Sequence, residues 1–411
     1  MIKISFILLL FSCMNLSASV TEIDDISGYD IKNILNKLNP HDTLIIHSGE
    51  IHDESIVIKK PLTLIGKNNP IINGKGGDHI IKIFADSVEI NGFTIQNSGF
   101  SHVQDRSGIR TDSIKHCKIV NNIFNNTMFA FYAARSSDLT ISDNIFLGKG
   151  KRESASGNAV HLWYCKTAKV TNNRLEGHRD GIYLEFTENV VINNNHTENN
   201  IRYGLHFMFS HNAEYKNNIF RNNGSGVAVM YTRNVLMENN VFELNQGAAS
   251  YGLLLKDIKD SKIINNKLVN NSTGIYIEGG GKNELRGNLI KSNAWAVRIL
   301  ASSTNNVFTG NSIMGNSFDL STNSTMSQNE FEGNYWDKYR GYDLDRDGKG
   351  DIPYYPVRLF AFIVEKNPPL IILLNSFFIF ILDLAENLIP SITPAAMIDN
   401  SPLMTPQYDK I

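Results

Sequence analysis

Cysteine is scarce in this sequence, with three residues in a chain of 411. Cys13 lies in the apolar N-terminal stretch, which leaves Cys117 and Cys165 as the pair that could form a disulfide in an oxidising compartment. One pair does not make the disulfide framework of a small secreted domain. The stability of the fold must therefore come from other interactions.

A charge excess of either sign is also missing. The chain has 39 basic and 41 acidic residues, interspersed, and a net charge of -2. Proteins that bind the phosphate backbone of nucleic acids carry a marked positive excess. The balance therefore argues against nucleic acid as a partner.

The N-terminus has the composition of an export signal. A lysine precedes an apolar run over residues 4–11, and small residues follow at 17–19. We expect residues 1–19 to be a signal peptide that is removed on export. The alternative is a lipoprotein signal ending at Cys13, although the residue two positions before it, Phe11, is bulkier than is usual there.

A short phrase built around asparagine recurs nine times in the middle of the chain, and its asparagines are Asn122, Asn144, Asn173, Asn195, Asn218, Asn240, Asn266, Asn288 and Asn311. The steps between them are 22, 29, 22, 23, 22, 26, 22 and 23 residues. A step near 22 residues is typical of one coil of a β-solenoid. Asparagine suits the corners because it tolerates left-handed backbone angles, and equivalent side chains can stack as a ladder. We interpret this column as structural.

Many coils also carry a second apolar strand, namely AVHLWYC (159–165), GIYLEFT (181–187), GLHFMFS (204–210), GVAVMYT (226–232), GLLLKDI (252–258) and GIYIEGG (274–280). Sustained helical periodicity is absent here, so the sequence predicts an all-β fold, a right-handed parallel β-helix, over residues 20–336. Apolar residues at helical spacing in 29–37 predict a helix that caps the N-terminal end. A C-terminal helical tail is expected to follow the β-helix.

Alignment of the coils places soft metal ligands on the outward face of this second strand. The predicted columns are His161, Tyr183, His206 and Ala228; Trp163, Glu185, Met208 and Met230; and Cys165, Thr187, Ser210 and Thr232. Alternation predicts that Leu205, Phe207 and Phe209 face the interior. Imidazole and thioether groups favour copper, particularly the cuprous ion. The candidate copper ligands are His161, His206, Met208 and Met230.

The alternative for this face is a binding surface for another protein or a sugar, where methionine and aromatic residues supply adaptable contact area. His178 and Arg179 are expected on the turn that leads into the face, and Arg202 on the equivalent turn one coil later. The candidate partner-binding residues are Trp163, Tyr183, Glu185, His178, Arg179 and Arg202.

Five segments, in this order, resemble the NosD family: HLWYC (161–165), GHRDGIYLEF (177–186), RYGLHFMFSHN (202–212), GVAVMY (226–231) and NYWDKYRGYDLDRDGKGDIPY (334–354). The resemblance implies export to the periplasm, a β-helix without catalysis of its own and association with a membrane ABC transporter. It further implies a part in maturing the copper sites of nitrous-oxide reductase, with copper or sulfur as cargo. A copper chaperone and the reductase itself become candidate partners.

A secreted β-helix that acts on polysaccharides, as a polyuronate lyase, epimerase or hydrolase, is the alternative. Such chemistry needs paired carboxylates, or calcium with a basic residue beside a carboxylate. The outward carboxylates Asp112, Glu185 and Glu278 lie on well-separated coils, and a turn separates Asp180 from Glu185. The residues therefore favour a protein that is not an enzyme.

The region 337–365 is rich in aspartate and contains the spacing of an EF-hand-type calcium loop at Asp343, Asp345, Asp347 and Asp351. At the position of the last ligand, Tyr354 replaces the usual glutamate. A weak calcium site and an ion-free turn are both consistent with this pattern.

Residues 366–411 are expected to form an apolar docking tail. The apolar run over 370–382 has 13 residues and is shorter than the roughly 20 needed to cross a bilayer. Its phenylalanines surround too much of the predicted helix for a simple amphipathic cap. Contact with a membrane partner or the bilayer surface is favoured over packing back onto the solenoid.

Overall fold

The structure is a computed structural model that describes residues 18–53, 55–150, 152–374, 376–389, 392–393 and 396–407. The predicted signal peptide, apart from its last two residues, lies outside the described residues. The chain winds into a parallel β-helix in which each full coil contributes strands to three sheets of 14, 13 and 12 strands, here called sheets A, B and C. The predicted fold is confirmed.

The strands follow one another along the chain in the order A, B, C. Sheet A comprises Val20–Asp25, Thr43–Ser48, Thr63–Gly66, Glu89–Asn91, Lys118–Val120, Ser137–Ser142, Lys166–Thr171, Glu188–Asn193, Ala213–Lys216, Val235–Glu238, Lys262–Ile264, Glu284–Arg286, Val307–Thr309 and Glu330–Glu332. Sheet B comprises Glu50–His52, Ile71–Asn73, Thr94–Gln96, Ile123–Asn125, Ile145–Leu147, Arg174–Glu176, His196–Glu198, Ile219–Arg221, Val241–Glu243, Lys267–Val269, Leu289–Lys291, Ser312–Met314 and Tyr335–Trp336. Sheet C comprises Ile56–Ile58, Ile81–Ile83, Ser107–Asp112, Phe129–Ala134, Val160–Trp163, Asp180–Glu185, Tyr203–Met208, Ser225–Met230, Tyr251–Lys256, Thr273–Glu278, Trp295–Ile299 and Phe318–Ser321.

The helices lie near the two ends of the chain, apart from one short turn. They are α1 (Ile31–Lys37), a 3-10 turn (Glu153–Ala155), α2 (Leu359–Lys366), a 3-10 segment (Pro368–Leu373) and α3 (Phe377–Leu388). The Asp30 side chain accepts hydrogen bonds from the backbone N–H groups of Lys32 and Asn33, which caps the start of α1. Ile31 and Leu35 are buried in the solenoid core, so the helix expected within 29–37 is confirmed.

Asparagine ladders connect successive coils at the corners. At the corner between sheets A and B, the Asn218 Oδ1 accepts both the backbone N–H of Asn195, at 2.9 Å, and its side-chain amide, at 3.0 Å. The residue before Asn195, Asn194, has a φ of 57°. A second ladder at the corner between sheets B and C comprises Asn200, Asn223, Asn245, Asn271, Asn293 and Asn316. The ladders supply hydrogen bonds to buried backbone groups at the bends, where strand pairing is interrupted.

The two cysteines of the solenoid are free thiols. Cys117 and Cys165 are both buried, and burial raises the pKa of each thiol, to about 12 for Cys117 and to about 11 for Cys165. The disulfide considered from the sequence is therefore not formed in this structure. The thiols act as small apolar core groups.

The predicted docking tail is divided in the structure. Helices α2 and α3 pack together, whereas Asp399 and Leu403 return to pair with the last coil. The Asp399 carboxylate accepts hydrogen bonds from the backbone and side-chain amides of Asn334, at 3.0 and 3.1 Å, and from the Trp336 indole, at 3.0 Å. Asp399 thus ends the asparagine ladder of the A–B corner. Part of the segment 366–411, expected to be an addition to the solenoid, completes its C-terminal end.

We expect the substitution Asp399→Asn to lower the free energy of unfolding by about 2 kcal/mol, since it weakens charge-assisted hydrogen bonds to buried donors. Urea titration followed by far-UV circular dichroism measures the change. Glu332→Gln, at an exposed position of the same terminal coil, is the control. Equal unfolding midpoints for the two variants would contradict the capping role of Asp399.

Candidate functional site

The outer face of sheet C carries the candidate site residues in the predicted register. His161 pairs with Tyr183, and Tyr183 pairs with His206. In the next outward column, the register runs Trp163, Glu185, Met208, Met230. Adjacent strands are about 4.8 Å apart, so Met208 and Met230 are direct neighbours.

The third predicted column is wrong. Cys165, Thr187, Ser210 and Thr232 point inward and are at most 2% exposed. The reason is the preceding residue, which bends the chain; Phe209, for example, has a φ of 50°. This left-handed residue breaks the alternation of the strand, so Phe209 is exposed and Ser210 is buried.

The two candidate histidines point outward but are buried, which differs from the expected solvent face. His161 is 7% exposed and His206 is 4% exposed. Aromatic rings of the same face surround them: Tyr183 lies between them, with ring centroids 4.7 Å from His161 and 4.8 Å from His206. Tyr203 contacts His206 from another side, at 4.7 Å. A whole coil separates the two imidazoles, so one ion cannot bind both directly.

Both imidazoles have nitrogens without a hydrogen-bond partner. These atoms are Nε2 of His161 and both ring nitrogens of His206. Burial holds the pKa of His161 well below its usual value, so its ring is neutral at pH 7. A neutral imidazole keeps a lone pair that can bind a metal ion. Buried polar atoms without partners are uncommon in folded proteins and point to an unassigned interaction.

Asp180 forms the centre of a buried charge cluster. The turn expected between Asp180 and Glu185 is wrong, because both residues lie on the single strand Asp180–Glu185. Asp180 is 1% exposed, and its carboxylate oxygens lie 3.9 Å from Arg179 Nε, 3.8 Å from Arg202 Nε and 3.8 Å from His206 Nδ1. Arg202 also pairs with Glu153, at 3.1 Å. The loop that carries Glu153 therefore crosses the coil of Asp180 and reaches the coil that contains Arg202. The two arginines are partly exposed and lie at the edge of the histidine column.

The sequence contained a signal for this cluster in its repeated glycines. A Cβ on Gly204 would lie 2.4 Å from Thr197 Oγ1 and 2.9 Å from the ring of Phe220, both in the core. Gly204 and Leu205 therefore both face inward, which turns Tyr203 and its register partner Asp180 to the outer side. A prediction that assumes strict alternation of inward and outward side chains along these strands misses this irregularity.

His178 is not a partner-binding residue on an exposed turn, as expected, but a buried corner residue. It is 1% exposed, and its backbone N–H donates to Asn200 Oδ1, at 3.1 Å. His178 thus stands where the ladder of the B–C corner would have its next asparagine. Its Nδ1 lies 3.1 Å from the carbonyl oxygen of Glu176, and burial lowers its pKa to about 4.

The aspartate-rich loop brings three of its four predicted ligands together. One carboxylate oxygen from each of Asp343, Asp345 and Asp347 lies within 4.8 Å of the others. Asp351 is not part of this group, since its carboxylate accepts the backbone N–H of Leu344 at 2.7 Å. The carboxylate of Asp343 also accepts the backbone N–H of Gly348, at 2.9 Å. The calcium site stays a prediction.

Helix α3 exposes much of its apolar surface. Phe377, Phe378 and Phe380 are 76%, 57% and 64% exposed, whereas Ile379 is buried against α2. Within the described residues, every helix is too short or too polar to cross a membrane. The exposed surface of α3 is a second candidate region, separate from the outer face of sheet C.

Comparison with known proteins identifies the family of the chain. Residues 148–341 match the family model described as "Periplasmic copper-binding protein (NosD)". A protein of Pseudomonas aeruginosa named "Probable ABC transporter binding protein NosD" is 31% identical over 369 residues, which cover 85% of each chain. The chain belongs to the NosD family. A NosD protein of the same printed name from Stutzerimonas stutzeri is 31% identical over 384 residues, covering 89% of this chain and 87% of that one.

Solved structures resemble this NosD-family chain in fold alone. A family 28 exopolygalacturonase of Yersinia enterocolitica has a TM-score of 0.55 at 8% identity, over 79% of each chain. The Dettilon tailspike protein has a TM-score of 0.53 at 15% identity, over 70% of this chain and 64% of that one. At these identities the likeness does not extend to residues that act on a substrate.

The buried imidazole of His178 predicts a loss of stability in mild acid. The folded-state pKa of His178 is about 4, below its usual 6.5, so the unfolded chain binds more protons as the pH falls from about 6.5 towards 4. For His178 alone the loss between pH 7.5 and pH 5 is about 2 kcal/mol. The variant His178→Asn, which extends the asparagine ladder, should lose less stability over this interval. Urea titrations at both pH values measure the difference.

His116→Asn, at an exposed position, is the control and should keep the pH dependence of the parent. If His178→Asn loses as much stability in acid as the parent protein, His178 is not the source of the pH dependence.

Proposed function

We propose that this NosD-family protein is a periplasmic accessory protein in the maturation of the copper sites of nitrous-oxide reductase and works with an ABC transporter. The main support is the strip formed by His206, Met208 and Met230, which places an unpartnered imidazole and two adjacent thioethers on one outer face. The name of the family model supports the periplasmic and copper-binding parts of this proposal, and the name of the relatives supports the ABC transporter as partner.

The strip has the ligand chemistry for a cuprous ion as cargo. Thioether and imidazole are neutral, soft or borderline donors, which suit the cuprous ion and suit calcium or magnesium poorly. Met208 and Met230 are only partly buried, so an ion can reach them from solvent or from a partner. The coil of Tyr183 lies between His161 and His206, so His161 is assigned no ligand role for the same ion.

A polysaccharide-cleaving or epimerising activity is not favoured. Asp180 and Glu185 stand at opposite ends of one strand, roughly 16 Å apart at 3.3 Å per residue. The two carboxyl groups of glycosidases are about 5 to 10 Å apart. Asp180 is also buried beside two arginines, where it is poorly placed to exchange protons with a sugar.

The exposed face of α3 supports docking to a membrane transporter. Helix α2 joins this region to the solenoid, since Arg298 of sheet C pairs with Glu365 at 2.9 Å and Ser321 donates to the same carboxylate at 2.7 Å. Arg358 pairs with Asp383 and Glu386, which ties α3 to the start of α2. These contacts hold an apolar surface in a fixed position at the C-terminal end.

Replacing Met208 and Met230 together by leucine should lower the affinity for the cuprous ion at least tenfold, because both thioethers are lost. The volumes are similar, so the melting temperature should change little. Competition with a chromophoric cuprous chelator measures the affinity. Met326→Leu, at a position that is 84% exposed, is the control. An unchanged affinity in the double variant would assign the strip to protein contact instead of metal binding.

Replacing Phe377, Phe378 and Phe380 together by serine should abolish co-purification with the transporter and leave the solenoid folded, because these rings are exposed. Co-purification from detergent-solubilised membranes, together with circular dichroism, tests both parts. Phe84→Ser, at a position that is 53% exposed on the solenoid, is the control. If the triple variant still co-purifies with the transporter, α3 is not part of the docking surface.

A further inference from the structure

The asparagine ladder at the corner between sheets B and C is interrupted towards its N-terminal end. The ladder extends from Asn316 back to Asn200, and His178 takes the next position. Strand pairing places Lys149 at the same position one coil before His178, and Thr127 two coils before it. His178 and Thr127 are 1% and 5% exposed, whereas Lys149 turns outward to solvent. The corner therefore has a gap one coil thick between Thr127 and His178.

The gap contains a cavity of about 110 Å³, and Thr127, Gly148 and His178 form part of its lining. A Cβ on Gly148 would lie 2.4 Å from the carbonyl oxygen of Gly177 and 2.9 Å from Cγ of His178. Glycine at this position keeps side-chain atoms away from the imidazole. The volume is enough for a small ligand or for a few water molecules.

Two buried polar atoms of the lining have no hydrogen-bond partner, namely Nε2 of His178 and Oγ1 of Thr127. Nδ1 of His178 lies 3.1 Å from the carbonyl oxygen of Glu176, which can only accept, so Nδ1 carries the proton. Burial lowers the pKa of this ring to about 4, so at pH 7 it is neutral and Nε2 keeps a lone pair. Unpartnered buried atoms that line a cavity indicate a bound ligand.

The donor groups of the lining indicate the chemistry of that ligand. The thioether residue Met128 also lines the cavity, and its backbone N–H donates to Ser98 Oγ at 2.8 Å. The described lining contains no carboxylate, and its one charged residue, Lys149, is basic. Such surroundings disfavour calcium, magnesium and other divalent ions, which need anionic oxygen ligands. Imidazole together with thioether suits the cuprous ion, whereas water gains nothing from a thioether.

We propose that the gap in this ladder is a second cuprous site, with His178 Nε2 and the Met128 thioether as its ligands. The identity of the ion rests on the proposed function. The site lies at the corner that precedes the strands of sheet C, whereas Met208 and Met230 are the last residues of their strands. The two sites therefore occupy opposite edges of the same sheet, and each can bind an ion without the other.

The test counts the cuprous ions bound by the full mature chain, by anaerobic competition with a chromophoric chelator. The parent should bind two ions. The double variant Met208→Leu and Met230→Leu should bind one, because the cavity site is untouched. Adding His178→Asn to the double variant should lower the affinity for that ion roughly tenfold or more, since the Nε2 donor is lost. Asparagine is the usual ladder residue, so circular dichroism should show an unchanged β-helix.

X-ray absorption at the copper edge tests the ligand pair. The double variant loaded with one cuprous ion should show one nitrogen and one sulfur scatterer. Adding Met128→Leu should remove the sulfur scatterer and weaken binding, with little change in side-chain volume. His116→Asn, at an exposed position, is the matched control and should leave both the affinity and the spectrum of the double variant unchanged.

The two proposals fail in different ways. If the parent binds one ion and the double variant binds none, the cavity holds water alone and the second site is wrong, while the strip keeps its assignment. Unchanged affinity after His178→Asn in the double variant also overturns the second site. If the parent and the double variant each bind one ion and His178→Asn removes it, the cavity site stands and the strip loses its ligand role. A parent protein that binds no cuprous ion contradicts both.

Discussion

The register between successive coils is the constraint on which the rest of the structure depends. It is maintained by parallel strand pairing along the sheets and by asparagine side chains at the corners, where each amide bonds to the next coil. A shift of one residue would turn the buried side chains of a strand to the outside. Because the register is fixed, residues 22 or 23 positions apart become direct neighbours, and Met208 comes to lie beside Met230.

The outer face of sheet C combines burial with unsatisfied polar groups. Burial of a polar atom without a partner is unfavourable, and the solenoid bears this cost at His161 and His206. The same burial keeps His161 neutral and therefore able to donate a lone pair. Asp180, between two arginines, places a compensated negative charge beside His206. Such a face is poorly suited to a merely solvated surface and well suited to a specific ligand or partner.

The same sheet connects this face to the C-terminal helices. Helix α2 packs on the last strand of sheet C, Phe318–Ser321, which is four strands beyond Ser225–Met230. At about 4.8 Å per strand, the Met230 thioether and the helical end are about 19 Å apart along the solenoid. The solenoid therefore holds the two candidate regions, the strip of His206, Met208 and Met230 and the exposed face of α3, at a fixed separation.

The sequence by itself determined the architecture, the register and the column that contains Met208 and Met230, because a repeat near 22 residues specifies which residues stack. It also indicated the N-terminal helix and a loop of four aspartates, of which three converge in the structure. Only the tertiary structure decided which outward residues are buried, since His178 and His206 are covered by groups from other coils and loops. It also decided where alternation fails: the inward glycine at Gly204 and the left-handed bend at Phe209 are set by packing between coils. The return of Asp399 to the last coil depends on a contact 65 residues apart in the chain, which local patterns do not contain.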